Sequence, residues 1–333
     1  MAGKRFIGCL AAALVLSGSV DAQSADLTNL YEEFFALGAA SEFTRPAGPV
    51  EVLHTAHPEA RSELWLIAAH LRTPEGDPVS VHFSLSRLGV RAEVGTAFDL
   101  RSFYRGHVIV TSAHHKPKAE ERFSRGLGAA GEDAGSVWID DWSLEADTED
   151  FLSLHLSAEG SPISVALEIR PDEGQLVAET DDAPLLGYSL PGVPISVEYD
   201  RQLLTGFGWF DHFWGDVPLP GGPVTYDRLI VHLDDGSALS VVRTRRRDGQ
   251  GVSTLDGAFL DTSGAMVALS DENVELTETR LAGGGLDLEL EPMERQAASF
   301  VVPAVTTLLR VTGTRNGSPV TGIGTMQDSD GAE

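Results

Sequence analysis

Cysteine is nearly missing from these 333 residues: the single copy, Cys9, sits in the first dozen positions. The body of the chain can form no disulfide and offers no thiol nucleophile. Positive charge is also scarce. Lys and Arg number 24 against 50 Asp and Glu, a formal net charge of -26. That excludes nucleic acid as a partner, because a phosphate backbone needs a basic face; an anionic membrane surface would repel the chain. Long apolar runs are lacking too. The best, Phe6 to Leu16, falls short of the roughly 20 residues a spanning helix requires. No Gly-x-Ser-x-Gly elbow or phosphate loop occurs, so esterase and nucleotidase chemistry lack a nucleophile signal.

What is present is the composition of a globular protein, with 42% hydrophobic and 22% charged residues. The first 22 residues read as a secretory signal. Lys4 and Arg5 supply the positive start, Phe6 to Leu16 the apolar run, and Val20-Asp21-Ala22 the small residues of a cleavage site. A secreted or periplasmic location follows, the latter if the source has two membranes. Most of the apolar run comes after Cys9, which argues against lipid attachment there. A short helix is expected over Asp26 to Leu37, where Leu27, Leu30, Tyr31, Phe34 and Leu37 recur at three- and four-residue spacing. The rest of 23–48 is Pro/Gly-punctuated linker.

From there strands dominate. Leu64 to Leu71 and Val79 to Leu85 read as a hairpin; His107 to Ser112, Val137 to Leu144, Phe151 to Ala158 and Ile163 to Arg170 read as further strands. Lys116 to Arg125 is polar and suggests a helical turn. The Pro-rich, acidic stretch 171–194 suggests a boundary, dividing the chain into an N-terminal domain over 49–194 and a C-terminal domain over 195–325. In the second, Ile195 to Leu204 reads as a strand. Asp234-Asp235-Gly236 and Asn316-Gly317 mark hairpin turns. The acidic tail, 326–333, reads as disordered. Many short strands with Gly/Pro turns indicate an all-β architecture, and two antiparallel barrels in tandem fit the length.

One stretch carries most of the chemistry: Gly206-Phe207-Gly208-Trp209-Phe210-Asp211-His212-Phe213-Trp214-Gly215-Asp216. On a strand, alternation sends Trp209, Asp211 and Phe213 to one face and Phe210, His212 and Trp214 to the other. Each face then holds one ionisable group among aromatic rings. Asp211 and His212 can share a site only across a bulge or turn, which the flanking glycines permit.

Trp209 to Gly215 resembles the aromatic-x-Asp-His/Arg-x-Trp-Gly signature of the hydroxyneurosporene synthase (carotenoid 1,2-hydratase, CrtC/AttH-type) family. Other pieces agree in order: Glu63-Leu64-Trp65-Leu66 with His70-Leu71-Arg72, Glu121 to Gly126, Val137 to Leu144, and Arg310 to Gly313 with Pro319 to Gly324. The resemblance spans roughly Pro49 to Gly324. It implies two lipocalin-like barrels, with the signature in the second. Three positions depart from the family's pattern. Phe213 stands where Glu or Asn is common, Tyr226-Asp227-Arg228 replaces a Trp-Asp-Trp piece, and Gln327 replaces a closing Glu.

Two functions fit. The leading one is capture of an apolar small molecule, an isoprenoid or other lipid, in a barrel cavity. Trp65, Trp209, Phe213 and Trp214 would line it, with Arg122 and Tyr226 as further ligand-facing candidates. Phe213 in place of a polar residue favours this reading. The alternative is hydration of a C=C bond. Asp211 would be the acid, His212 would position or deprotonate the water, and the indoles would stabilise the cation. No metal or cofactor is called for, and the sequence names no membrane-transport partner.

Other groups read as structural. His114-His115 lacks a third ligand at metal spacing. His54 and His57 read as surface, His70 and His82 as hydrogen-bonded barrel residues. Glu121-Arg122 reads alternatively as an ion pair bracing two domains. Arg243, Arg245, Arg246 and Arg247 read as a solvated hairpin end.

Overall fold

The computed structural model describes residues 56–89, 102–126, 128–133, 135–148, 151–168, 176–177, 185–215, 224–246, 253–298 and 304–328. The expected signal, Cys9, the helix at 26–37 and most of the acidic tail lie outside these residues. Every regular element described is a strand.

The first sheet holds β1 (Ser62–Arg72), β2 (Pro78–Gly89), β3 (Ser102–Ser112), β4 (Lys118–Arg125), β5 (Ala130–Glu132) and β6 (Ser136–Ile139). It continues with β7 (Trp142–Thr148), β8 (Phe151–Ala158), β9 (Ser161–Glu168), β10 (Leu176–Val177), β11 (Leu185–Tyr199) and β12 (Gln202–Gly215). Its order is β4-β3-β2-β1-β12-β11-β9-β8-β7-β6-β5, with β10 beside β11. The second sheet holds β13 (Val224–Leu233), β14 (Ala238–Arg246), β15 (Thr254–Leu260), β16 (Met266–Ser270) and β17 (Val274–Leu276). Then come β18 (Arg280–Gly283), β19 (Leu286–Ala298), β20 (Ala304–Arg315) and β21 (Ser318–Asp328), in the order β16-β15-β14-β13-β21-β20-β19-β18-β17. The result is the all-β pair of nearly closed antiparallel barrels that the turn spacing led one to expect.

Several elements differ from the sequence reading, each for a local reason. Lys118–Arg125 is a strand rather than a helical turn: it is the edge strand β4, paired with β3, and charged side chains suit an edge. Val137 to Leu144 is two strands, because Asp140 takes a left-handed φ of 56° and reverses the chain. Ile195 to Leu204 is likewise the end of β11 and the start of β12, turning on Asp200 and Arg201 with φ of 50° and 65°.

The division at 194/195 is overturned, since it falls inside β11. Pro191 and Gly192 do not end a domain; they form a bulge in β11 between Leu190 and Val193. The chain crosses from one sheet to the other between Gly215 and Val224. The signature stretch therefore belongs to the first barrel, as β12, and not to the second.

Strand alternation builds both cores. In the first barrel Trp65, Ile67, Ala69 and Leu71 of β1 point inward with Val79, Val81, Phe83 and Leu85 of β2. The buried cluster inside the second barrel is Leu and Val with one ring, Phe259. The outer faces of β1, β2 and β12 then meet the outer faces of β13, β14 and β21. Ala68, Trp209, Ile230, Ala238 and Leu260 form the apolar part of this junction.

Its polar part is histidine-rich. His70 Nδ1 lies 2.8 Å from His232 Nδ1, and His70 Nε2 lies 3.0 Å from the Thr325 hydroxyl. His82 Nδ1 lies 3.4 Å from the Gln327 amide. Two imidazoles meeting nitrogen to nitrogen can hold only one proton between them, so they cannot both be cations. Burial holds His82 down at about 3, with Arg228 adding repulsion, and holds His232 at about 4. Burial and the neighbouring imidazoles keep His70 well below its usual value.

In the unfolded chain these groups titrate near 6.5. Between about pH 6.5 and pH 4 the unfolded state binds more protons, so stability must fall as pH falls through that window. The urea midpoint is expected to drop steeply from pH 6.5 to pH 4, and more gently in a His82→Gln/His232→Gln double variant. Parallel curves for the two proteins would remove the junction histidines from the acid response.

Candidate functional site

β12 lies between β1 and β11, and its register with β1 runs unbroken from Ser62↔Gly215 to Arg72↔Thr205. No bulge interrupts that pairing, so the alternation expected from sequence holds. Phe210, His212 and Trp214 enter the first barrel; Trp209, Asp211 and Phe213 face the second. Asp211 and His212 are adjacent in sequence and separated by the thickness of the sheet.

On the outer face Asp211 is completely buried. Its Oδ1 accepts from the Ser189 hydroxyl at 2.5 Å and from Trp209 Nε1–H at 2.8 Å. Its Oδ2 accepts from Arg228 Nη2 at 2.6 Å, and Arg228 Nε donates to Ser240 Oγ at 3.3 Å. Arg228 belongs to β13, so this buried ion pair joins the two barrels. A general acid needs a proton on an oxygen and a path to substrate. Both oxygens of Asp211 instead receive donors, one of them a guanidinium. The expected role of Asp211 as the acid is therefore replaced by a role in the junction.

On the inner face the centre is Glu63, which the sequence reading did not single out as a site residue. His212 Nε2 lies 2.8 Å from Glu63 Oε1, and His212 Nδ1 lies 3.3 Å from the Tyr188 hydroxyl. Arg87 Nη2 donates to Glu63 Oε2 at 3.1 Å and to the His57 and Ala60 carbonyls at 2.6 and 3.0 Å. The His57 backbone N–H donates to both Glu63 oxygens, at 2.9 and 3.0 Å. Arg87 also pairs with Glu132 at 2.9 Å, and Tyr104 donates to the same Glu132 oxygen.

Burial alone would raise the Glu63 carboxyl. The hydrogen bond and charge of His212, followed by Arg87, outweigh it and leave the group below its ordinary value. Burial pushes Tyr188 well up, with the Glu63 charge adding to it, so this phenol stays protonated. Burial and the charge of His212 lower His57.

Aromatic rings enclose this network. Trp65 stacks on His212 with centroids 5.2 Å apart, and His57 stacks on Trp214 at 3.8 Å and 10°. Tyr188 meets His212 edge-on at 5.5 Å. Gly187 is what lets β11 hold Tyr188 here: its φ is +153°, and a Cβ would lie 2.3 Å from the His212 carbonyl oxygen. The cluster sits at the end of the barrel where β1 begins and β12 ends, the kind of position in which barrels hold ligands.

The expected ligand-binding set thus divides. Trp65, His212 and Trp214 come together; Trp209 and Phe213 lie on the opposite face with Asp211. Arg122 is at neither place. It pairs with Glu120 and Asp141, donates to Ser157 Oγ at 3.1 Å and lies 4.4 Å over the Trp142 ring. It fastens β4 to the β6–β7 turn and β8, bracing one barrel across its seam rather than two domains. The side chain of Tyr226 lies outside the described residues.

Two minor readings change and one holds. His57 belongs to the cluster and not to open surface. Arg243 and Arg245 are not a merely solvated pair, because both bind Asp227. His70 and His82 do have hydrogen-bond partners as expected, at the barrel junction. Glu63 and His57 could have been found from Glu63 itself: a carboxylate opening an apolar strand, six residues after a His, is a buried charge in need of donors.

A family model described as AttH-like matches residues 52–284. Among solved structures, a Nitrosomonas europaea protein described as an AttH aligns with a TM-score of 0.70 at 22% identity, covering 89% of this chain and 100% of its own. Kievitone hydratase from Nectria haematococca aligns with a TM-score of 0.59 at 11% identity, covering 88% and 95%. At these identities the likeness to solved structures carries the fold alone. No curated protein sequence matches the chain.

The junction role of Asp211 has a measurable consequence. Removing one partner of a buried ion pair strands the other and costs about 3–5 kcal/mol. Arg228→Met is therefore expected to lower unfolding stability by about that amount, and Asp211→Asn/Arg228→Met to recover a large part of it. Additive losses in urea unfolding of the singles and the double would contradict the pairing.

Proposed function

The chain belongs to the AttH-like family, and from that premise we propose that it is a lipocalin-like protein that takes an apolar isoprenoid or acyl lipid at the aromatic end of its first barrel. The observation that carries this reading is the convergence of Trp65, Tyr188, Trp214, His57 and His212 around one buried carboxylate at one end of the first barrel. The rings offer an apolar ligand broad contact; Glu63 and His212 offer it a polar terminus to orient against. The buried cluster inside the second barrel holds one ring, Phe259, and so offers no comparable aromatic set. A secreted or periplasmic location belongs to the same proposal and rests on the Lys4-Arg5 start, the short apolar run and Val20-Asp21-Ala22.

The neighbouring residues Phe213 and Trp214 supply the test, because they face opposite sides of one strand. Native mass spectrometry of the full chain, as purified and after loading with an acyclic carotenoid or a long-chain fatty acid, is expected to show one bound apolar molecule. Trp214→Ala should weaken that binding about 10-fold, the effect of losing roughly 1.4 kcal/mol of contact, whereas Phe213→Ala should leave the occupancy of folded protein unchanged. An empty protein that binds neither probe would end the proposal, as would equal losses in the two variants.

A second reading, hydration of a C=C bond, is favoured by the Glu63–His212–Tyr188 chain and by the hydratase among the structural neighbours. The finer resemblance to hydroxyneurosporene synthase supports the same chemistry. A proton would pass from His212 to one alkene carbon, water oxygen would bond to the other, and the water's proton would return to the Glu63–His212 pair. The net change is addition of water, with no oxidant or cofactor in the balance. Indole faces can stabilise a desolvated cation by about 2 kcal/mol. In heavy-oxygen water a prenylated or acyclic polyene substrate should gain one labelled hydroxyl, and His212→Gln should slow this by about 100-fold or more. Binding without label incorporation would leave the carrier reading and dismiss this one.

A further inference from the structure

The cluster inside the first barrel has a feature that neither reading uses. His57, Glu63 and His212 each present one donor atom, and the three atoms lie within 4.8 Å of one another. His57 Nε2 is shielded from solvent and has no hydrogen-bond partner. We propose that these residues form a binding site for Zn2+ or a similar borderline divalent cation.

The donor set is two imidazoles and one carboxylate. That set holds zinc in sites that keep a fourth position open, with bonds of about 2.0–2.2 Å. The donors of a tetrahedral ion with such bonds are about 3.3 Å apart. The 2.8 Å between His212 Nε2 and Glu63 Oε1 must therefore widen by about half an ångström, and the widest donor separation, within 4.8 Å, must close toward about 3.3 Å. Without sulfur among the donors, softer ions such as Cu(I) are disfavoured.

The surrounding shell has the arrangement that metal-ligating histidines need, in which the second ring nitrogen is held by an outer group. His57 Nδ1 lies 3.2 Å from Glu59 Oε1, which orients the ring and leaves Nε2 as the donor. His212 Nδ1 lies 3.3 Å from the Tyr188 hydroxyl. On metal binding the His212 proton moves to Nδ1, where the phenol oxygen accepts it and Nε2 is freed for the ion. Arg87 engages Glu63 Oε2, so Oε1, which accepts from the His57 backbone N–H and lies against His212 Nε2, is the oxygen that would face the metal. The guanidinium opposes a second cation, and this limits affinity rather than geometry.

The metal alone is the probe, applied to protein freed of bound lipid because an apolar ligand would share Glu63 and His212 with the ion. Full-length protein stripped with chelator is titrated with Zn2+ by calorimetry and with Co2+ by visible absorption. One ion per chain is expected, with the intense d–d bands of a four-coordinate site. Glu59→Gln, an exposed change that leaves the core untouched, should weaken Zn2+ binding about 10- to 100-fold, as losses of outer-shell partners do. His57→Ala should weaken it further and abolish the Co2+ bands. Loss of binding in His114→Ala/His115→Ala would instead place the ion on that exposed pair and overturn the proposal. So would unchanged affinity in His57→Ala, or no saturable binding by the parent protein.

Discussion

The second half of β12, Gly208 to Gly215, has no face in water. Barrel closure takes one side of it and the second barrel takes the other, while β1 and β11 occupy both of its edges. Every side chain from Trp209 to Trp214 must therefore be apolar or find a partner within the protein. Trp209 contributes its indole N–H to Asp211, Phe210 and Phe213 need nothing, and the two ionisable residues recruit one network each. Those two networks account for much of the rest of the architecture. One holds the barrels together through Arg228; the other draws Glu63, Arg87, Tyr188 and the His57 segment to one end of the first barrel.

The division explains how one short stretch serves two purposes. A carboxylate at the junction is matched by a cation from β13, and the charge is neutralised where neither solvent nor ligand reaches it. An imidazole one residue later points among rings, against a carboxylate that itself gathers two further donors, the His57 backbone N–H and Arg87. Burying a charge is tolerable only when its hydrogen-bonding capacity is met, and both sites meet that condition in different ways. The junction pair is closed. The inner cluster is less so, with the shielded His57 Nε2 still without a hydrogen-bond partner.

Much of the fold was legible because its signals are local. The β1–β2 hairpin follows from alternating residues around Pro74 and Gly76, and the β20–β21 turn from Asn316-Gly317, whose φ of 49° and 80° suit that dipeptide. The two faces of β12 followed from period-two alternation alone. Membership of a sheet is not a local property. Nothing in Gln202 to Gly215 says that its neighbours are β1, more than a hundred residues earlier, and β11. The Pro191-Gly192 pair looked like a linker because a bulge and a linker use the same residues. Glu63 and His57 were not read as site residues for a related reason: their partner His212 lies 149 positions away from Glu63. Arg228 was visible as a departure from the family pattern, yet its meaning depended on knowing that Asp211 faced it.

The proposed function places ligand chemistry on the inner face of β12 in the first barrel and leaves structural roles to the outer face and the second barrel. Photolabelling with a diazirine-bearing lipid, followed by peptide mapping of the adducts, reads this out directly. The label is expected on peptides containing Glu63 to Trp65, Tyr188 and His212 to Trp214. Adducts concentrated on β19 and β20, or on the junction residues of β13 and β21, would contradict it.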